Sequence, residues 1–361
     1  MRDDRLACLL LAEVLAAMFY ATCAKGESLP HPRFEVTEDV VFARTYREDG
    51  ASVDRVMDVL RPVDDSSQAR PALLCIHGNP GEQPYPGGRQ HHFRDYAEYF
   101  AARGYVCFVV AWGFDSAPLV QIKAAVRHVR ADASGYGVDP ERIGAIGHSY
   151  GGSLAIALAV TGEDHGQPSD VERADLVNHP GVCSQIRAAA AIPGGVFYPE
   201  ECDLDDAPIF YARGTLDKNF HVPEDRVAEL EARNVSYAWF PVEGAEHAID
   251  SSLQAAFGRT LPELMNEFFA LHLCDGRGAT MTMLHTLHDG AGKVSAAPFN
   301  RLAPANTKTT LTAKPEPGNR FVRWEGDLTG TDNPTEISMD ASKRITAVFA
   351  PASTSPVRQE R

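Results

Sequence analysis

The fold is decided by the stretch RIGAIGHSYGGSLAIALAV, residues 142–160. It consists of a short β-branched run, a G-x-S-x-G pentapeptide centred on Ser149, and an apolar helical run. A serine hydroxyl is a weak nucleophile, and a sharp strand-to-helix turn lifts it above a sheet edge where a base can reach it. The flanking glycines allow that turn, and Gly152 lets the helix pack closely. We therefore predict Ser149 as a nucleophile, with an ordinary helix N-cap as the alternative.

The sequence on both sides of this stretch alternates short β-branched or aromatic runs with longer helical patterns. This alternation is typical of an α/β fold with a doubly wound, mainly parallel sheet. We expect eight strands, at residues 36–46, 53–61, 72–76, 105–110, 143–146, 188–192, 208–211 and 236–240. We expect covering helices at residues 93–103, 119–134, 150–160, 223–233 and 253–271.

The character of the sequence changes after residue 274. Residues 275–278 have the composition of a linker, and the residues that follow are rich in Thr, Pro and Gly with short alternating runs. We therefore expect a catalytic domain at residues 34–274, a small all-β module at 279–350 and a disordered tail at 351–361. Trp324 is expected to anchor the core of the module, with carbohydrate stacking as the alternative.

The first two dozen residues are typical of an export signal. Arg2 and Arg5 precede an apolar run, and small residues follow as far as Ala24. We predict a signal peptide at residues 1–24, cleaved after Ala24, and a secreted, periplasmic or cell-envelope protein. The alternative is an N-terminal helix that stays attached. The apolar run is too short and too interrupted to span a bilayer well.

Charge and cysteine content limit the partners and the redox chemistry. With 49 acidic and 34 basic side chains the formal net charge is -15, which would repel nucleic acid and anionic lipid. We predict no nucleic-acid partner and no membrane span. Cys75 and Cys107 lie in apolar runs and are expected to be buried free thiols. Cys183 and Cys202 lie in loop-like sequence and are the best pair for a disulfide.

Two further polar residues follow strands of the expected sheet. Asp217 comes shortly after the seventh expected strand, and His247 after the eighth. The carboxyl ends of parallel strands meet at one edge, where ligands and catalytic groups gather. The order Ser149, Asp217, His247 therefore predicts a nucleophile, an acid that orients the histidine, and a general base. The aspartates within residues 203–206 precede the seventh strand and should lie at the opposite edge.

The turn HGNPG, residues 77–81, follows the third expected strand and fits an oxyanion hole. Two backbone N–H groups aimed at the carbonyl oxygen stabilise the charge that develops during acyl transfer. We expect the amides of Asn79 and Tyr150 to supply them, and the alternative is a purely structural turn. His77 itself is expected to brace the loop.

Other polar side chains near the expected site have weaker claims. His221 and Tyr198 are secondary candidates for substrate contact. His91 and His92 lack an evident third ligand, so an exposed helix start is the preferred interpretation. We predict no metal and no cofactor.

Taken together, these motifs resemble the α/β-hydrolase superfamily, nearest its esterase and dienelactone-hydrolase-like branches. They are DPERIG leading into GHSYGG, the HGNPG turn, GTLD and the late EH, within residues 34–274. The resemblance implies Ser149 as nucleophile, Asp217 and His247 as its partners, and Asn79 with Tyr150 as oxyanion donors. The triple-glycine turn of many acetyl esterases is absent, and Ser149 stands where dienelactone hydrolases use cysteine, so neither narrow assignment transfers.

The C-terminal stretch contains GNRFVRWEGD at residues 318–327, Asn333-Pro334, Met339-Asp340 and ITAVF at residues 345–349. Through these residues it resembles a bacterial repeat module of the divergent internalin B-repeat kind. Such modules occur on exported and surface proteins. The resemblance therefore implies contact with a cell surface or a polysaccharide, and it agrees with the predicted export signal.

The sequence thus predicts an exported serine esterase that cleaves a small-molecule or polymer-linked ester through an acyl-enzyme. The segment at residues 162–185 is too short and polar for a large helical lid, which favours an open site and small acyl groups on varied or bulky alcohols. One alternative is a peptidase, because HGNPG also resembles the turn of proline-specific aminopeptidases. The other is a surface binding or adhesion protein whose hydrolase domain is inactive.

Overall fold

An eight-stranded sheet forms the centre of the larger part of the chain in the computed structural model. The model describes residues 34–46, 50–63, 69–79, 91–114, 117–162, 179–195, 198–219, 223–249, 251–297 and 301–352. The strands are β1 (Phe34–Tyr46), β2 (Ser52–Pro62), β3 (Arg70–Ile76), β4 (Val106–Val110), β5 (Val138–His148), β6 (Ala188–Ile192), β7 (Ile209–Gly214) and β8 (Tyr237–Val242). Their order is β1-β2-β4-β3-β5-β6-β7-β8. Strand β2 runs antiparallel to β1 and β4, and the other pairs are parallel. The predicted mainly parallel sheet is confirmed.

Helices cover the two faces of this sheet. They are α1 (His91–Ala101), α2 (Pro118–Ala131), the single turn α3 (Ala133–Tyr136), α4 (Tyr150–Val160), α5 (Pro223–Ala232) and α6 (Leu261–Leu273). One hydrophobic cluster contains side chains of α2 and α4, and a second contains side chains of α1 and α6. Leu74 of β3 belongs to the first cluster and Leu73 to the second, so β3 is buried on both faces. None of the helices in the described ranges has the length and hydrophobicity needed to cross a bilayer.

The last helix begins later than the predicted residue 253. A small hairpin of β9 (Gln254–Ala256) and β10 (Arg259–Thr260) precedes it. Phe257 and Gly258 connect the two strands with positive φ angles of 54° and 69°, a conformation that interrupts a helix. Thr260 then caps α6, and its backbone N–H donates to Glu263 Oε2 at 2.8 Å. The apolar spacing that extended the prediction belongs to this hairpin.

The C-terminal part of the chain is an all-β unit. Its strands are β11 (Met281–Asp289), β12 (Gly292–Ala297), β13 (Leu302–Pro304), β14 (Thr307–Pro315), β15 (Asn319–Gly326), β16 (Thr335–Met339) and β17 (Lys343–Pro351). They form two sheets, in the orders β13-β11-β17-β15 and β12-β14-β16. Strand β17 continues through Pro351, one residue into the predicted tail. Residues 353–361 and the predicted signal peptide lie outside the described residues.

Trp324 is a core residue of the β module. Its side chain is 2% exposed, and its Nε1–H donates to the carbonyl oxygen of Asp332 at 2.8 Å. The ring also packs against Phe321, with 5.0 Å between ring centroids. The core-anchor prediction is confirmed. The carbohydrate-stacking alternative is wrong, because a sugar cannot reach a buried indole.

A shared apolar core and a buried carboxylate join the β module to α6. Met281, Met283 and Leu302 belong to the hydrophobic cluster that contains the apolar face of α6. Glu267 of α6 accepts hydrogen bonds from the N–H of Thr280 at 2.6 Å and of Met281 at 3.1 Å. Burial alone would raise the pKa of Glu267, but the hydrogen bonds from Thr280 and the hydrogen bond and charge of Arg259 lower it. The ionised carboxylate therefore holds the start of β11 against α6.

The cysteines in the described part of the chain are free thiols. Cys75 and Cys107 are buried, as predicted. The predicted Cys183–Cys202 disulfide is wrong. Cys183 is exposed, and its Sγ accepts from the N–H of Gln185 at 3.4 Å, whereas Cys202 is buried and its thiol faces the carbonyl oxygen of Tyr198 at 3.8 Å. The two thiols thus have separate surroundings.

Candidate active site

Ser149 lies on a strained turn between β5 and α4. Its backbone has φ 56° and ψ -122°, outside the regions that L-residues ordinarily occupy. A Cβ on Gly147 would lie 2.0 Å from the carbonyl oxygen of Gly151, and a Cβ on Gly151 would lie 2.2 Å from that of His77. Both glycines are therefore required sterically. The N-cap alternative is wrong, because the Ser149 side chain makes no capping hydrogen bond to α4.

The three residues predicted to act together meet above the carboxyl ends of the strands. His247 Nε2 lies 3.0 Å from Ser149 Oγ, and His247 Nδ1 lies 3.0 Å from Asp217 Oδ2. Both distances are within hydrogen-bond reach. In this arrangement Nδ1–H donates to the carboxylate, and Nε2 is the acceptor for the Ser149 hydroxyl proton.

Asp217 is held as a carboxylate behind the histidine. Its side chain is fully buried, and it accepts a hydrogen bond from the N–H of Asn219 at 2.8 Å. Burial alone would raise the pKa of Asp217. The Asn219 amide, the hydrogen bond and charge of His247, and the charge of Arg213 outweigh burial and lower it. The group is therefore ionised at neutral pH and can stabilise a histidinium.

Two side chains that the sequence analysis passed over support this arrangement. Arg213, at the end of β7, is 5% exposed, and its guanidinium contacts both the carboxylate and the backbone carbonyl of Asp217. His148, which precedes the nucleophile, lies with its Nε2 3.2 Å from the carbonyl oxygen of His247. His148 stands within the quoted GHSYGG and Arg213 directly before the quoted GTLD. A polar residue at the buried end of a strand is the signal that could have found them.

The predicted oxyanion turn runs alongside the nucleophile. A Cβ on Gly78 would lie 3.2 Å from the Cβ of Ser149, so the backbone that leads into Asn79 is close to the serine. Tyr150 is the first residue of α4, and the N–H groups of a first helical turn have no partner within the helix. Both predicted donors thus lie next to Ser149. Their role as oxyanion donors stays a prediction.

His77 braces this turn, as expected. Its Nδ1 lies 2.7 Å from the carbonyl oxygen of Gly78, and its ring stacks on Trp112 with 5.1 Å between centroids. Trp112 Nε1–H donates back to the His77 carbonyl at 3.1 Å. The turn is therefore tied to the end of β4 by an aromatic stack and a hydrogen bond.

An aromatic wall, formed by Trp112, Phe114 and Tyr150, lies beside the nucleophile. Neighbouring rings are 5.2 Å apart, and Phe114 is 52% exposed. Tyr198 is half-buried and close enough to Tyr150 to raise the pKa of that phenol further, after burial as the main cause. Tyr198 thus lies at the predicted site, whereas His221 is outside the described residues.

The other sequence predictions concern metals and acidic residues. No group of three or more His, Cys, Asp or Glu within the described ranges is arranged to hold a metal ion. The side chains of His91 and His92 lie outside the described residues. Asp206 lies at the opposite edge of the sheet, as expected, in a cavity that His272 also lines.

Comparisons with known proteins agree with this architecture. Residues 57–185 match the family model BD-FAE, and residues 282–353 match the Divergent InlB B-repeat domain. The fold is similar to that of a truncated carbohydrate esterase from gut microbiota, with 16% identity, a TM-score of 0.51, and coverage of 67% of this chain and 98% of that chain. Native esterase 2 of Thermogutta terrifontis matches at 21% identity with a TM-score of 0.49, covering 67% of this chain and 92% of that one. No curated protein matches the chain in sequence.

Proposed function

We propose that this chain, an esterase-family hydrolase with a BD-FAE region and a C-terminal divergent InlB B-repeat domain, is an exported serine carboxylesterase. Ser149 is the nucleophile, His247 the general base and Asp217 the acid that orients the histidine. The single observation that carries the proposal is the 3.0 Å distance between His247 Nε2 and Ser149 Oγ. The second 3.0 Å contact, from His247 Nδ1 to Asp217, supports the same assignment.

Acylation of Ser149 is the first half of the proposed reaction. His247 Nε2 takes the hydroxyl proton as Ser149 Oγ attacks the ester carbonyl carbon. The amides of Asn79 and Tyr150 donate to the oxyanion that forms. When the tetrahedral intermediate collapses, the bond to the alcohol oxygen breaks, and the alcohol leaves with the proton from His247.

Deacylation repeats these steps with water. His247 takes a proton from a water molecule, whose oxygen attacks the acyl carbon on Ser149. The bond to Oγ then breaks, Ser149 recovers its proton from His247, and the carboxylic acid leaves. Asp217 remains ionised throughout and stabilises the histidinium in both halves.

Small acyl groups on varied or bulky alcohols, including sugar or polymer esters, are the proposed substrates. The exposed ring of Phe114 supports this proposal, because it offers an apolar surface at an accessible position beside Ser149. Export is supported by the signal-like pattern of residues 1–24 and by the resemblance of the C-terminal module to repeats of exported proteins.

An ester panel on the full chain tests the proposal. We expect hydrolysis of p-nitrophenyl acetate and a decrease in kcat of at least about 10⁴-fold in Ser149→Ala. Ser338→Ala, which removes an exposed hydroxyl in the β module, is the matched control and should retain full activity. A wild-type protein that cleaves none of the esters would contradict the esterase assignment.

The two alternatives give different results. A proline-specific peptidase would cleave proline-linked p-nitroanilides faster than the acetate ester. An inactive hydrolase domain would leave Ser149 unlabelled by a fluorophosphonate probe, whereas we expect labelling of the wild type and of Ser338→Ala but not of Ser149→Ala.

A further inference from the structure

A cavity outside the candidate active site lies at the amino ends of β3, β4 and β5. It has a volume of about 530 Å³, and its lining includes Arg70, Arg103, Arg142 and Arg277. Arg142 precedes Ser149 by seven residues, six of which belong to β5, so roughly 20 Å of extended chain separates this arginine cavity from the nucleophile. The arginine cavity is therefore distinct from the candidate active site.

Side-chain to backbone hydrogen bonds connect three of the four arginines. Arg142 Nη2 donates to the carbonyl oxygen of Ala69 at 2.7 Å, directly before Arg70. Arg70 Nη1 in turn donates to the carbonyl oxygen of Gly104 at 3.2 Å, directly after Arg103. Each of these two guanidinium groups thus reaches the chain next to another arginine, and all three arginines line the same cavity.

Arg103 and Arg277 are exposed and retain donors for a ligand. Arg103 Nη1 donates to the carbonyl oxygen of Tyr99 at 2.9 Å, and its guanidinium lies 3.4 Å from the centre of the Tyr99 ring. Arg277 Nε donates to the carbonyl oxygen of Cys274 at 3.2 Å. A guanidinium has five N–H donors, so one backbone contact leaves most of them for an anion.

The charged residues that line the arginine cavity are all positive, in a protein of formal net charge -15. None of the described residues that line it is acidic. The nearest acid shown to pair with the four arginines is Asp139, whose Oδ2 lies 2.7 Å from Arg142 Nε. One carboxylate does not neutralise four guanidinium groups. A concave positive site of this kind concentrates anions.

The remaining polar groups of the cavity are neutral. Tyr105 is buried, and burial together with the neighbouring Cys274 raises the pKa of its phenol, which therefore stays protonated. Asn266 adds an amide. Guanidinium forks pair with the planar edges of carboxylate, sulfate and phosphate groups, and a hydroxyl and an amide can complete the contacts.

We propose that the arginine cavity binds a multivalent oxyanion, either a small ligand or one residue of an acidic polymer. Its volume is within the range of small-ligand pockets. The charged group is a carboxylate, sulfate or phosphate. The site is separate from ester cleavage, so binding does not require Ser149.

Titration calorimetry on the full chain tests the proposal with citrate, inorganic sulfate and pyrophosphate, each at an ionic strength held constant with NaCl. We expect saturable binding of at least one of these anions with one site per chain. The citrate and pyrophosphate titrations distinguish a carboxylate ligand from a phosphate ligand. Heats equal to those of NaCl for all three anions would overturn the proposal.

A double variant assigns the binding to this cavity. Arg103→Gln with Arg277→Gln should weaken the wild-type affinity at least about tenfold, because both guanidinium groups face the ligand. Arg320→Gln with Arg323→Gln removes two exposed arginines of the β module, gives the same change in net charge, and should bind as the wild type does. Equal affinities in the two double variants would overturn the assignment. Unchanged p-nitrophenyl acetate hydrolysis verifies that both fold.

Discussion

Arg213 Nε lies 3.4 Å from Asp217 Oδ2, and the two side chains are 5% and 0% exposed. Burial removes the hydration of both the carboxylate and the guanidinium, and the attraction between the two charges compensates for this loss. The pair lies directly behind His247. The charge of Arg213 is one of the causes that keep the pKa of Asp217 below its usual value. This arginine therefore supports both the stability of the sheet and the ionisation of the candidate triad.

Replacing Arg213 should affect both properties. In Arg213→Gln, Asp217 loses its nearest positive charge, and we expect the free energy of unfolding to fall by about 3 kcal/mol in urea titrations. The pKa of Asp217 should rise toward its ordinary value, because Arg213 is one of the groups that lower it. Arg44→Gln breaks an exposed pair with Asp54 and should change stability by less than about 1 kcal/mol. Equal effects of the two substitutions would contradict this account.

Removing only the charge of Asp217 should lower the reaction rate more than the stability of the fold. Asp217→Asn keeps the shape but allows the wrong histidine tautomer, and we expect kcat to fall by about 10³- to 10⁴-fold. The native carboxyl has a lowered pKa, so its stabilising effect is present above pH 3.8 and is lost as the pH falls through the folded value. Acid unfolding curves of the two proteins should therefore converge at low pH. A variant with wild-type kcat would remove Asp217 from the mechanism.

The turn around the nucleophile should not tolerate a methyl group. Gly151→Ala places a Cβ 2.2 Å from the His77 carbonyl oxygen, so we expect loss of activity and a lower melting temperature. Gly162→Ala is the matched control, because no atom lies within 4 Å of its new Cβ. Thermal unfolding and p-nitrophenyl acetate hydrolysis measure both. Normal activity in Gly151→Ala would show that the backbone here adjusts easily.

We expect His272 to make the stability of the protein depend on pH. Burial, followed by the charges of Arg187 and His285, lowers the pKa of His272 from 6.5 to about 4. The unfolded chain therefore takes up a proton first, and the free energy of unfolding should decrease as the pH falls from 6.5 to about 4, by at most about 3 kcal/mol. In His272→Phe this contribution should disappear. If the free energy of unfolding changed with pH in the same way for the two proteins across that range, His272 would not be the source of the pH dependence.

Much of the fold could be predicted from local sequence. Eight short runs of mostly apolar residues predicted the eight strands. The glycines around Ser149 identified the turn because only glycine fits there. The start of α6 was missed because a two-residue turn with positive φ interrupts an apolar pattern that continues in sequence. Local spacing cannot distinguish a hairpin from a helical turn over so few residues.

Long-range contacts limited the prediction of the site. The positions of Ser149, Asp217 and His247 after strands of a parallel sheet predicted that they meet at one edge, and the structure brings them together. Arg213 was not predicted, because a charged residue is buried only when a partner compensates it, and that partner is known only from the fold. The Cys183–Cys202 disulfide was wrongly predicted for the same reason, because loop-like sequence says nothing about the distance between two thiols.

The junction between α6 and the β module has a consequence for protein engineering and for gene evolution. Met281 and Met283 fill the same apolar interior as α6, and Glu267 is satisfied by the first residues of β11. Removing the β module from the chain would expose the apolar face of α6 and leave the buried Glu267 carboxylate without its hydrogen bonds from Thr280 and Met281. Both changes favour precipitation of the fragment. The β module therefore cannot be exchanged between proteins as an independent unit. A functional chimera has to contain α6 and the start of β11 from the same protein.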